Sequence, residues 1–162
     1  MQSRSLEQGL ELGSIKRELF IDAPPEVVFE VVSDPRHVTE WWADAATHEA
    51  VAGSTGTLSF GAVEDGGKAV TLTVVQASPP TTFSFRWTQD PGETADVGNS
   101  LLVTFELVAS GAGTMLRFAE TGFRDMGWEA AVLEANYRDH ATGWSYFLPR
   151  LASYAGTLAE QP

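Results

Sequence analysis

Residues 133–158 read LEANYRDHATGWSYFLPRLASYAGTL, and within them Leu133, Tyr137, His140, Trp144, Phe147, Leu148, Leu151 and Leu158 recur mostly at steps of three and four. That is the period of one helix face. The preceding stretch reads almost entirely as strands, so a single long helix at this end must lie across a sheet. Two members of the stripe are aromatic with polar tips, one is a histidine, and Gly143 and Pro149 interrupt it. An irregular face of this kind suggests a helix closing over a cavity. Pro149 lacks the amide hydrogen that a helix interior uses and is expected to kink the helix near its middle.

Working back from the helix, short alternating runs divided by glycine and proline mark an antiparallel sheet. In Thr82–Thr88 the residues Phe83, Phe85 and Trp87 share one face, and Thr82, Ser84, Arg86 and Thr88 share the other. Leu101, Val103, Phe105 and Leu107 line the inner face of the next strand, and Ser110-Gly111-Ala112-Gly113 turns it into the last, Thr114–Thr121. Directly opposed residues point to the same side of a sheet, so the inner set after that turn is Leu116, Phe118 and Glu120. Arg117 then falls outside with Glu106, and Leu102, Val108 and Met115 are outward-facing apolar positions. Earlier strands are expected at Thr57–Ala62 and Ala69–Gln76, joined by a hairpin turn at Glu64-Asp65-Gly66-Gly67, with a weaker one at Thr47–Val51.

Before the sheet, Ile15, Leu19 and Ile21 alternate with charged residues as a first strand. Pro24-Pro25 ends it, after which Val27, Val28, Val31 and Val32 recur at helical spacing, although four valines also suit a strand. Ser33-Asp34-Pro35 supplies a cap and a first-turn proline for a second short helix carrying Val38, Trp41 and Trp42. Residues 1–13 are polar and glycine-containing and read as a flexible lead-in, leaving 14–160 as a single domain.

The chain has 162 residues, 43% of them hydrophobic, and no cysteine, which excludes disulfides, thiolate metal sites and cysteine nucleophiles. Acidic residues number 22 against 10 basic, a net charge of −12. Such a surface repels phosphate backbones and anionic lipid, so neither nucleic acid nor membrane is an expected partner. No apolar run near the N-terminus has the length of a signal peptide or membrane span, and a cytoplasmic location is expected. His37, His48 and His140 lie far apart without ligand spacing, so no metal is expected. The absence of a phosphate loop, a serine elbow and a dinucleotide fingerprint leaves no expected cofactor.

The order strand, two short helices, about six strands and a closing helix resembles the α+β helix-grip fold of the START-like (SRPBCC, Bet v 1-like) superfamily, a curved sheet of about seven strands around a C-terminal helix. APPEVVFEVVSDP at Ala23–Pro35 followed by Trp41, Trp87 in its aromatic strand, Glu120-Thr121-Gly122-Phe123, and Gly143-Trp144 with Leu148 and Leu151 resemble the family related to the C-terminal domain of the activator of Hsp90 ATPase. Where that family often has paired glycines before its third strand, this chain has Gly53-Ser54-Thr55-Gly56. The resemblance implies a mainly apolar cavity between sheet and helix. Relatives in the superfamily bind lipids, polyketides, hormones or other hydrophobic molecules, and some catalyse cyclisation or dehydration. Those named for Hsp90 stimulate a chaperone ATPase, and the eukaryotic co-chaperone carries an added N-terminal domain for which this chain has no room, so a chaperone partner is the less expected outcome.

On this reading the cavity is lined by Trp41, Trp87, Glu120, Tyr137, His140, Trp144 and Phe147. Aromatic walls with a few polar groups are what small-molecule sites use, though any one of these, Trp42 and Trp128 included, also suits ordinary core. A carboxylate on an apolar face must pair, hydrogen-bond or take up a proton, so Glu120 is either a polar anchor in the cavity or a strand-end residue reaching water. His140 and Tyr137 are polar handles or satisfied core groups. The expected function is binding of a small hydrophobic molecule without a catalytic cycle. The alternatives are a cyclase or dehydratase using Glu120 and His140 as acid and base, and a co-chaperone or other protein-interaction module. A homodimer through the outer sheet face is a further arrangement open to such a chain.

Overall fold

A computed structural model describes residues 12–61, 67–90 and 92–160. Within these the chain forms β1 (Ser14–Ile21), α1 (Pro25–Ser33), α2 (Pro35–Trp41), β2 (Ala45–Ala46), β3 (Thr55–Phe60), β4 (Lys68–Ser78), β5 (Thr82–Gln89), β6 (Leu101–Ser110), β7 (Gly113–Thr121), a 3-10 turn (Phe123–Met126) and α3 (Ala130–Ala159). The strands make one antiparallel sheet in the order β1-β7-β6-β5-β4-β3-β2, and α3 lies across it. Residues 1–11 of the expected lead-in, and residues 64–66 of the expected hairpin turn, lie outside the described residues.

The valine-rich segment is helical. Pro25 occupies its first turn, where a missing N–H costs nothing, and Val28, Phe29, Val31 and Val32 are buried. Helix α2 starts immediately after, with the Asp34 carboxylate accepting the Arg36 backbone N–H at 2.8 Å. The Arg36 side chain also bonds that carboxylate and holds it below the usual range. The two helices are tied by Trp41, whose Nε1–H donates to the Val31 carbonyl at 2.9 Å.

In the final hairpin Val103 stands opposite Glu120, Phe105 opposite Phe118 and Leu107 opposite Leu116, so all six point under α3. Gly111, with a φ of 61°, makes the tight turn between these strands. On the outer face Arg117 meets Glu18 at 3.1 Å and Glu106 at 3.8 Å, exposed ion pairs worth little. Beside that charged row, Phe20, Met115 and Val108 stand next to one another across β1, β7 and β6, with Phe20 and Val108 exposed. Leu102 lies apart from them, opposite Thr121 and Arg86.

No strand forms over Thr47–Val51. Only Ala45 and Ala46 pair with β3, and the chain then passes so close to Gly56 that a Cβ there would stand 2.5 Å from the His48 backbone nitrogen. His48 is buried between exposed Thr47 and Glu49, and its Nε2 bonds the Ser33 carbonyl at 2.9 Å. Its Nδ1 is buried without a partner among the described residues. Burial therefore pushes the His48 imidazole below its ordinary value, since a proton on Nδ1 would have nothing to bond. The unfolded chain, with histidine near about 6.5, binds this proton more readily than the folded one. The His48 contribution to stability is thus complete above that value and is lost as pH falls through the depressed folded pKa. Urea midpoints of wild type and His48→Gln, compared from neutral to mildly acidic pH, are expected to converge as pH falls.

Helix α3 runs from Ala130 to Ala159 through Pro149. Its buried face is Leu133, Trp144, Leu148, Leu151 and Ala155, with Tyr137, Phe147 and Leu158 packed at the margins. Among the described residues no helix is long and apolar enough to cross a membrane.

Candidate functional site

Glu120 sits on β7 between two paired strands, and its side chain projects under α3 with 0% exposure. Three N–H groups converge on it. Trp87 on β5 donates from Nε1 to Oε2 at 2.7 Å, Trp144 on α3 donates from Nε1 to Oε1 at 2.8 Å, and His140 Nδ1 lies 2.9 Å from Oε1 and 3.1 Å from Oε2. His140 and Trp144 are four residues apart on one helix, so successive turns present both side chains to the same carboxylate. An indole N–H can only donate, so the two tryptophans define both carboxyl oxygens as acceptors. The contact to His140 must then hold a proton, and the geometry suits Nδ1–H donating to the carboxylate.

That contact orients the ring. His140 is wedged between Trp87, whose ring centre is 5.4 Å away, and Phe123 at 5.5 Å. Its Nε2 makes no hydrogen bond among the described residues, and its side chain keeps 14% exposure. The exposed edge meets a cleft of about 300 Å³ between α3 and the β3–β5 side of the sheet, lined by Trp42, Phe60, Val70, Trp87, Thr88, His140, Gly143, Trp144 and Phe147, with Lys68 and Asp139 also on its lining.

The structure brings Trp87, Glu120, His140 and Trp144 together and places Phe147 on the cleft wall. Trp41 and Tyr137 are placed elsewhere. Trp41 is fully buried against Phe105 and bonded to Val31, and its neighbour Trp42 takes the place on the cleft. Tyr137 packs on Phe123, and its hydroxyl donates to the Ser14 carbonyl at 3.1 Å, so it fastens β1 to α3.

Alternation along β5 puts Thr88 on the outer face with Arg86, yet it lines the cleft. The pairing between β4 and β5 slips at this point, with Trp87 opposite Leu72 but Gln89 opposite Thr71. Thr88 is the extra residue of that bulge and takes a φ of 71°. This conformation is strained for a β-branched residue. Its Oγ1 is buried without a partner among the described residues. Replacing it with glycine removes the strain and the orphaned hydroxyl at the cost of some unfolded-state entropy, so Thr88→Gly is expected to stabilise the fold by about 1 kcal/mol, read as a higher denaturation midpoint.

A seven-stranded antiparallel sheet holding a long C-terminal helix over a partly polar cleft defines a START-like helix-grip domain. The chain belongs to the family described as activator of Hsp90 ATPase homolog 1-like protein, whose model matches residues 22–156. Comparison with curated proteins gives no match. Among solved structures it is similar to MLL2253 of Mesorhizobium loti, with 22% identity, a TM-score of 0.68 and coverage of 86% of this chain and 94% of that one. It is also similar to the Aha1 dimer of Colwellia psychrerythraea, at 20% identity and TM-score 0.66 over 91% and 98% of the two chains. A third is CalU16 of Micromonospora echinospora, at 18% identity and TM-score 0.63 over 92% and 77%. These likenesses are of fold.

Proposed function

We propose that the chain binds a small, flat, largely aromatic molecule in the cleft beside His140. One observation carries this reading: an aromatic-walled space of about 300 Å³ whose inner polar group, His140, stands on a buried carboxylate held by two indoles. The space equals roughly ten water molecules at their liquid volume. It lies at the small end of ligand sites, which favours a molecule of one or two rings over a lipid. Trp42, with the margins of the buried Trp87 and Trp144, supplies the aromatic surface of the cleft, and the packing of the three is already set by contacts with one another.

Native mass spectrometry of freshly purified protein, followed by thermal-shift screening of one- and two-ring aromatics, tests the proposal. A co-purified mass, or a melting temperature that rises with ligand concentration, supports it. A panel that gives neither contradicts it.

A second reading is favoured by the Glu120–His140 contact. A carboxylate that fixes the proton on Nδ1 leaves Nε2 basic and oriented, which is the arrangement of a general base. In that reading the chain is an acid–base enzyme of the cyclase or dehydratase kind. Turnover abolished by His140→Gln, with an unchanged denaturation midpoint, would favour it over simple binding.

A further inference from the structure

The polar groups facing the cleft restrict what a ligand must carry. Glu120 is saturated with donors: Trp87 and Trp144 can only donate, and His140 Nδ1 shares a proton with the same carboxylate. Nothing in the cleft can therefore recruit Glu120 directly. His140 Nε2 is the nitrogen left over, and a neutral imidazole with its proton on Nδ1 presents Nε2 as an acceptor. Among the described residues the other titratable groups on the cleft lining are Lys68 and Asp139. Thr88 also lines the cleft and is held there in an unfavourable backbone conformation, its Oγ1 buried without a partner among the described residues. Strain retained at a cleft is a pointer to function.

We propose that the cleft selects aromatic molecules bearing an ionisable hydroxyl group, which shares its proton with His140 Nε2. This rests on the binding function proposed above and names its ligand class. The proton balance favours the class in either starting state. A phenol meeting neutral His140 places its O–H proton in the O···Nε2 contact, and a phenolate meeting protonated His140 receives the same proton from Nε2. Both routes give one complex, with one proton between oxygen and nitrogen and none released beyond the starting forms. The corresponding methyl ether has no proton to offer and leaves the neutral imidazole without a partner.

The test compares 4-nitrophenol with 4-nitroanisole by titration calorimetry against wild type, His140→Phe and Glu120→Gln. His140→Phe keeps an aromatic ring in the wall. Wild type is expected to prefer the phenol by about tenfold, the worth of one good net hydrogen bond. The bound nitrophenol should also shift its absorbance relative to the free compound at the same pH, because its proton is now shared. His140→Phe is expected to lose the preference and the spectral shift, and Glu120→Gln to weaken both. Equal affinity for phenol and ether in wild type, or a preference that survives in His140→Phe, overturns the inference while leaving the cleft as a binding site. Binding of neither compound overturns the cleft reading as well.

Discussion

Replacing Glu120 with alanine is expected to cost about 3–5 kcal/mol of unfolding free energy, the scale seen when one partner of a buried polar network is removed. The reason is the donors left behind. Trp87 Nε1–H and Trp144 Nε1–H each end on this carboxylate, the His140 Nδ1 contact does too, and Glu120 itself is fully buried. A buried donor without an acceptor costs about 1–3 kcal/mol, and water entering the vacated space recovers only part of it. The attribution can be separated from simple loss of volume. Glu120→Met with Trp87→Phe, Trp144→Phe and His140→Phe removes donors and acceptor together, and should be markedly less destabilised than Glu120→Ala. Urea unfolding of the two proteins checks this; equal losses would mean that packing, not orphaned donors, sets the cost.

Trp144→Ala is expected to have an effect of similar size for a different reason. The side chain is 2% exposed, with its ring centre 4.5 Å from that of Phe118 and 5.0 Å from that of Trp42. Deleting a buried tryptophan costs about 3–5 kcal/mol through lost transfer energy and the cavity left behind. Trp144→Phe retains most of the packing and forfeits the bond to Glu120, so its cost should be nearer 1–2 kcal/mol. A double-mutant cycle between Trp144→Phe and Glu120→Gln, followed by chemical denaturation, should return a coupling energy well away from zero. Additive effects would contradict the shared network.

The parts of the architecture written in periodicity were legible in the sequence. Alternation in β6 and β7 was enough to assign Glu120 to the inner face, because parity carries across a tight hairpin, and it is fully buried there. The three-and-four spacing of α3 likewise brought His140 and Trp144 to one side. What escaped was set by local departures from a period. The bulge at Thr88 shifts parity by one residue and turns it from the outer face into the cleft. The sequence reading puts Trp41 on the cavity, but Trp42 is the residue that leaves the short helix, with φ −127° and ψ −84°, and its ring swings onto Trp87 and Trp144. The expected strand at Thr47–Val51 pairs with β3 only before it, at Ala45 and Ala46, and His48 instead ties the segment to the end of α1. Convergence of Trp87 with Glu120 depends on strand order, since β5 and β7 are separated by β6, and no single segment encodes that.

The most direct test of the account is a ¹⁵N spectrum of the five tryptophan indole groups recorded while 4-nitrophenol or 2-naphthol is added. Trp42, Trp87 and Trp144 line the cleft and Trp128 does not. The signals of Trp42, Trp87 and Trp144 are expected to move with saturating dependence on ligand concentration while that of Trp128 stays in place. Cleft signals that stay fixed across both compounds, or a Trp128 signal that moves as far as they do, would contradict a ligand site beside His140.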